Sequence, residues 1–365
     1  MVSPSPLEGE GWGGGTRFPK TCDAALRTMT ILSVLDQSPI RSGHTPAEAI
    51  AETIELAKAC ERWGYHRYWV AEHHSSEGLA GAAPEILVAR LAAATSTMRI
   101  GTGGVMLSHY SPLKVAEQFR MLETLYPGRI DLGIGRAPGS DYVTARALAH
   151  GPGALGIEEF PRQIQDLFAY LRDAIPDGHP FAGVSAQPRG ATLPEPWLLG
   201  SSDQSAAYAA YFGCAFSFAH FITERMGPEI MAAYRRQFQP SVWYAKPQGS
   251  IGVAVICAQS NDEADRLAKS RDLSRLRMEQ GILGPVPTVE EAESYSYSHE
   301  ERLRVAFNRQ RQVIGDPATC KEKLLALGAT YGVDEIVIVT ITHDVGARFK
   351  SYELLARAFA LEQRA

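Results

Sequence analysis

Residues 99–139, RIGTGGVMLSHYSPLKVAEQFRMLETLYPGRIDLGIGRAPG, limit the possible folds more than any other stretch of the chain. Two β-rich apolar runs, 100–107 and 130–134, flank a helical stretch that opens after Ser111-Pro112, with Ser as cap and Pro in the first turn. Val115, Phe119, Leu122 and Leu125 recur at helical spacing, so one face is apolar and should lie on a sheet. Pro127-Gly128 ends the helix and turns the chain into the next strand. Strand, crossover helix and parallel strand form one right-handed βαβ unit. Glycines interrupt both strands: Gly103-Gly104 inside the first, and Gly133 and Gly135, followed by Arg136, at the close of the second. Glycine inside a strand marks a bulge or the close approach of a ligand, so something flat or charged is expected over these strand ends.

The alternation continues on both sides. Strands are expected at 30–35, 67–71, 196–199, 215–219, 250–258 and 335–340, which with the two above make eight. Helices are expected between them: one opened by the Thr45-Pro46-Ala47-Glu48 cap with Ile50, Ile54, Ala57 and Cys60 on one face, and others at 84–95, 158–171, 204–211, 228–238, from Asn261, after Gly315-Asp316-Pro317, and at 352–361. Eight strands, each followed by helix, predict a (β/α)8 barrel; an open doubly wound sheet would carry a Gly-rich loop after its first strand, and none follows Leu35. In a barrel, chemistry sits at the C-terminal strand ends. Residues 281–299, GILGPVPTVEEAESYSYSH, have no clean period and read as a mobile loop or lid. Residues 1–28, with PSPLEGEGWGGG, are Pro- and Gly-rich without periodicity, which predicts a disordered extension and Met29 as the natural start, leaving one domain over 29–365.

Composition removes several function classes. A net charge of -5 offers no electrostatic case for nucleic acid or an anionic membrane surface. No apolar run approaches the ~20 residues of a membrane-spanning helix. Five scattered cysteines without CxxC pairing read as free thiols in a reducing compartment, with the cytoplasm as default.

Candidate chemistry lies where the strands end. GSSDQSAA, residues 200–207, presents free N–H groups, hydroxyls and the positive end of a helix dipole, which suit a phosphate; Ser202 or Asp203 as an ordinary cap is compatible with the same role. Glu72-His73-His74 ends the second strand. Adjacent side chains of an extended chain point to opposite sides, so at most one histidine faces the mouth, as an acid or base or as a structural residue. No HExxH or matching cluster supports a metal. Arg136, beside glycines that admit a ligand, reads as an anion binder or a salt-bridge residue, and Asp36 as a helix cap or rim salt bridge.

These stretches resemble the bacterial luciferase-like, flavin-dependent oxidoreductases. VLDQSP, YWVAEHH, GTGGVML, PLKVAEQF and YPGRIDLGIGRAPG stand at the first four strands in the family's order, WLLGSSDQSA continues the match at the fifth, and GDPATCKEKL and the final strand extend it toward the C terminus. The resemblance implies a luciferase-like (β/α)8 TIM barrel with insertions. It would bind FMN, in reduced form supplied by a separate flavin reductase, and use O2 to oxygenate a small organic substrate; the family's members commonly form homodimers. By position, Gly103 and Gly104 take the place of a non-proline cis peptide beneath the flavin ring, and His73 that of a histidine assisting the flavin's oxygen chemistry. Ser201 and Ser202 match the phosphate-binding pair, Ser205 lies one turn on, and Arg136 and Arg162 match phosphate-contacting arginines. Gly135 stands where luciferases carry a reactive cysteine, which argues against light emission with a long aldehyde and leaves flavin oxygenation untouched. Within the same resemblance, deazaflavin- or nicotinamide-linked hydride transfer and flavin binding without turnover are the alternative functions.

Overall fold

Strands buried on both faces need cover on both, and parallel strands joined by helices supply it by closing on themselves. The computed structural model describes residues 30–136, 141–148 and 157–364. The strands are β1 (Ile31–Asp36), β2 (Arg67–Val70), β3 (Arg99–Thr102), β4 (Val105–Met106), β5 (Ile130–Gly135), β6 (Glu195–Gly200), β7 (Ala215–Phe218), β8 (Gly249–Cys257), β9 (Gln312–Gly315) and β10 (Glu335–Val339). Neighbours pair in the order β1, β2, β3, β5, β6, β7, β8, all parallel, and β10 pairs with both β8 and β1 to close an eight-stranded barrel. The predicted (β/α)8 architecture is therefore the observed one. β4 resumes the line of β3 after Gly103-Gly104 and pairs with β5, and the Gly103–Gly104 peptide is cis.

Local features depart from the sequence reading: the closing helix, expected at 352–361, runs Val345–Ala358, and His299–Arg309 is a helix that was not expected. β9 adds to β8 outside the closed ring, where no strand was expected. The 281–299 stretch contains a helix, Val289–Ser294, capped by Thr288, whose side chain accepts from the Glu291 N–H. Ahead of it, Val286 exchanges backbone hydrogen bonds with the 40–42 segment at 2.8 and 2.9 Å. A β-like bridge from a distant part of the chain thus orders a stretch whose own sequence shows no period. The expected extension at 1–28 and most of the connection after Gly139, with Gly151, Gly153 and Gly156, lie outside the described residues.

The helices form for the reasons read from sequence, with exceptions. Thr45 and Glu48 form a reciprocal capping box at the head of Pro46–Arg62. Ser111 precedes Pro112–Leu125 without capping it through its side chain. Val115, Phe119 and Leu122 pack onto the sheet as expected, whereas Leu125 is 56% exposed.

Side chains alternate along each strand, and the inward set stacks in layers. The lowest layer is ionic. Arg67, 2% exposed, reaches Asp131 Oδ2 at 2.8 Å and Glu335 Oε1 at 2.7 Å; Arg99 adds a bond to Asp131 Oδ1, and Ser33 one to Glu335. The Arg67 guanidinium also lies 4.7 Å from the Trp197 ring centroid. The next layer is apolar: Leu35, Trp69, Trp197 and Val337, with Trp69 and Trp197 edge to face at 5.1 Å. This double floor closes the barrel from below and leaves its C-terminal mouth open.

Candidate active site

Two residues further along each strand, the inward register reaches a cavity of about 440 Å³. That volume falls within the roughly 300–1,000 Å³ typical of ligand pockets. Leu35, Trp69, Ala71, Leu199 and Val337 give it an apolar floor, and Gly103 and Gly104 lie in its wall. Packing requires Gly104, which meets backbone, and disfavours a Cβ at Gly103, which meets the movable end of Leu35. A Cβ on Gly103 would come within 2.5 Å of Leu35 Cδ1, and one on Gly104 within 2.7 Å of the Gly133 carbonyl oxygen.

The polar part of the cavity is built by the β6 end and the helix Asp203–Phe212. Ser202 has extended backbone and caps that helix, its Oγ accepting from the Ser205 N–H at 3.3 Å and standing 3.2 Å from Ser205 Oγ. Ser201, Ser202 and Ser205 all line the cavity, as does Arg136 from the β5 end. Gly200 lets the helix approach the strand, since a Cβ there would lie 2.5 Å from Ser205 Oγ. Arg136 donates to the Gln204 side chain, which holds the guanidinium beside the helix N-terminus. Hydroxyls, the positive helix end and a guanidinium together suit an anion, although the Gln204 and Ser205 N–H groups of the first turn are already taken by Asp203 Oδ1 and Ser202 Oγ.

The β2 end supplies the titratable group. His73 lines the cavity in register with Arg67, Trp69 and Ala71, whereas His74 is tied by Nε2 to Glu72 Oε1 at 2.7 Å. Buried Glu72 also accepts from the Tyr110 hydroxyl at 2.7 Å and the Met106 N–H at 2.8 Å, so it anchors the loop after β4. His73 Nδ1 is buried without a hydrogen-bond partner. Burial, and to a lesser degree the neighbouring His74, push its pKa down to about 4. The ring is therefore neutral at pH 7, able to accept a proton and bearing an unsatisfied nitrogen.

Of the residues singled out from sequence, His73, Gly103, Gly104, Arg136, Ser201, Ser202 and Ser205 meet in this one cavity. Arg162 does not join them. It is 56% exposed on the helix Phe160–Leu171 and pairs with Glu159 at 3.8 Å. Asp36 also proves structural, fully buried and bonded to Arg348 and the Tyr68 hydroxyl, each at 2.5 Å. Sequence reasoning missed Gln37, Met106, Ser217 and Phe221, which also line the cavity. Carrying the period of two onward from each strand's inward residues would have found three of the four: Gln37 from Leu35, and Ser217 and Phe221 from Ala215.

The family model described as luciferase-like monooxygenase matches residues 30–335. YceB, an uncharacterised protein of Bacillus subtilis, is 45% identical over 331 residues, covering 91% of this chain and 100% of its own. An N-acetyl-S-alkylcysteine monooxygenase of the same organism is 37% identical over 341 residues, covering 92% of this chain and 100% of its own. Among solved structures, apo-MsnO8 superposes with a TM-score of 0.84 at 40% identity, over 92% of this chain and 100% of that one. The FMN complex of the oxygenating constituent of 3,6-diketocamphane monooxygenase from Pseudomonas putida, at 18% identity and a TM-score of 0.66 over 92% and 100% of the two chains, shares the fold alone.

Proposed function

This chain belongs to the luciferase-like monooxygenase family, and from that premise we propose that its barrel mouth binds FMN and that the protein oxygenates a small organic substrate. One observation carries the reading: a hydroxyl-rich helix N-terminus with Arg136, an apolar floor flanked by Gly103 and Gly104, and a histidine whose buried Nδ1 has no partner all face one 440 Å³ cavity. That donor set fits the group: a phosphate for the Ser201, Ser202, Ser205 and Arg136 corner, and a flat ring for the floor of Leu35 and Trp69. Arg162 is left out of this assignment because it is not among the residues that line the cavity.

Reduced FMN, when bound, supplies the electrons that activate dioxygen; in this reading a separate flavin reductase delivers it. The chain's own contribution is positioning and proton control. Arg136 and the capped helix neutralise the phosphate charge through charge-assisted hydrogen bonds. Trp69, held by its Nε1–H bond to Asp131 at 2.8 Å, keeps the floor flat and dry. His73, neutral at pH 7, takes or returns a proton at Nδ1.

The test is binding of oxidised and chemically reduced FMN, riboflavin and a deazaflavin to the full chain, followed by oxygen uptake with a reductase and a substrate panel. The expected result is tight binding of reduced FMN, riboflavin at least tenfold weaker, and substrate-dependent oxygen use. Riboflavin binding as well as FMN would remove the phosphate corner from the assignment. Preference for deazaflavin with turnover in the absence of oxygen would replace monooxygenation by hydride transfer.

A further inference from the structure

A second, smaller cavity of about 130 Å³ adjoins the first, and Gln37 lines both. Its walls come from the loop after β1, the 76–79 loop, the helix Asn261–Glu279 and the 282–286 segment. Pro39, Leu79, Met278, Ile282, Leu283 and Ile341 make it largely apolar. Arg271 stands among them.

That guanidinium is anomalous. Its Nε is buried with no hydrogen-bond partner, and among the described residues the side chain makes no hydrogen bond or ion pair. None of the neighbouring carboxylates bonds to it, although Asp272 keeps a buried, unpartnered Oδ1. Asp272, next in sequence, is taken by Arg309 at 2.6 Å. Glu279 holds Arg275 at 2.8 Å and Arg304 at 2.6 Å. Arg311 donates to the Ile222 carbonyl and to Asn308 at 2.5 Å each. Burial pushes Arg271 down to about 10 against the pull of Asp272, and Arg275 and Arg311 push the same way. Arg271 is partly buried, and a guanidinium whose buried Nε lacks a partner is costly, so such groups are kept where something pairs with them.

We propose that Arg271 is the substrate anchor: it pairs with the carboxylate of a small organic acid whose apolar body passes Gln37 into the larger cavity, where oxygenation takes place. This rests on the flavin reading of that larger cavity. A single planar guanidinium matches one carboxylate in two-pronged fashion. A phosphate dianion asks for further donors, and beyond the Ser76, Ser274 and Gln37 side chains and Arg275, whose Nε is held by Glu279 at 2.8 Å, these walls are apolar. The exposed Met278, Ile282 and Leu283 at the rim, and Ile222 at the rim of the larger cavity, suit an aliphatic body over a sugar or a nucleotide. The substrate class is thus an aliphatic carboxylic acid. Residues 282–286 then act as one wall of the substrate site.

The probes are hexanoate, hexyl phosphate and hexanol, titrated calorimetrically into the full chain without flavin, with FMN binding measured on the same samples. Hexanoate is expected to bind at least tenfold more tightly than either of the others. Arg271→Met should cost hexanoate at least tenfold and leave hexanol unchanged, and Arg271→Lys should recover part of the loss. Ser274→Phe, which fills the pocket while keeping the guanidinium, should abolish hexanoate binding; it serves where the methionine variant does not fold. Equal affinity for hexanoate and hexanol, tighter binding of hexyl phosphate, or hexanoate binding that survives Arg271→Met or Ser274→Phe overturns the proposal. Normal FMN binding with any of these outcomes sinks the anchor alone, and the expected hexanoate pattern with no FMN binding sinks the flavin reading alone.

Discussion

Replacing Asp131 by Asn tests whether the ionic layer beneath the active site holds up the floor above it. Asp131 is fully buried and accepts from Arg67 Nη1, Trp69 Nε1 and Arg99 Nε, each at 2.8 Å. An amide in its place offers one acceptor oxygen and turns an N–H2 group toward a guanidinium that has only donors. Breaking one partner out of a buried ion pair costs about 3–5 kcal/mol. Because Arg67 keeps Glu335 at 2.7 Å, the lower figure applies. Near 2 °C per kcal/mol for a chain of this size, about 3 kcal/mol corresponds to a fall in Tm of roughly 6 °C. The pH dependence adds a second constraint. Burial would raise the Asp131 carboxyl, but Arg67, Arg99 and the Trp69 hydrogen bond outweigh it and hold the pKa below the ordinary 3.8. A depressed folded pKa means that the stabilisation is complete above the unfolded value and is lost as pH falls through the folded one. Thermal unfolding by circular dichroism should therefore show the wild type and Asp131→Asn separated at pH 7 and converging below about pH 4. A variant melting within 1 °C of the wild type at pH 7, or a gap that persists unchanged into acid, would refute the reasoning. Salt should change the gap little, because screening acts weakly on a buried pair.

Three further outcomes follow from the cavity. Ser202→Ala removes the cap of the Asp203–Phe212 helix, worth about 1 kcal/mol; flavin fluorescence titration should show FMN affinity falling while riboflavin affinity holds. Gly104→Ala drives a Cβ to 2.7 Å from the Gly133 carbonyl oxygen and 2.8 Å from Leu199 Cδ1; urea unfolding should register an overpacking cost of about 1–3 kcal/mol. His73, with its pKa depressed to about 4, binds fewer protons folded than unfolded, so its contribution to stability falls as pH drops from about 6.5 toward 4. With about 1.4 kcal/mol per pKa unit, discounted for its partial exposure, His73→Gln should spare the protein a loss on the order of 2 kcal/mol in that window, read as a flatter profile of Tm against pH.

What the sequence discloses of this molecule depends on how locally each feature is determined. Strand alternation is local, so the register that carries Arg67, Trp69, Ala71 and His73 inward can be read from RYWVAEHH, and it separates His73 from His74. The helix after β6 declares itself through Ser202 and its N-terminal neighbours in the same way. What the sequence leaves open is tertiary. Arg162 sits on a helix whose spacing says nothing of the loop before it, and it ends on the surface beside Glu159. β9 is four residues long and acquires its identity only by pairing with β8. Arg271 is the extreme case. In NDEADRLAKSRDLSRLRME it is one charge among many on what reads as a solvated helix face. Its Nε is left buried and unpaired where the 282–286 segment, fastened to residues 40–42, lines the same cavity, while Arg275, Arg309 and Arg311 find other partners. The strand ends that build the proposed cofactor site are therefore legible in a single sequence, whereas the substrate side is assembled from loops that meet only in the folded chain. In such a barrel, relatives can keep the cofactor residues and differ in the loop wall, so substrate identity has to be sought at Arg271 and the 282–286 wall rather than at the strand-end motifs.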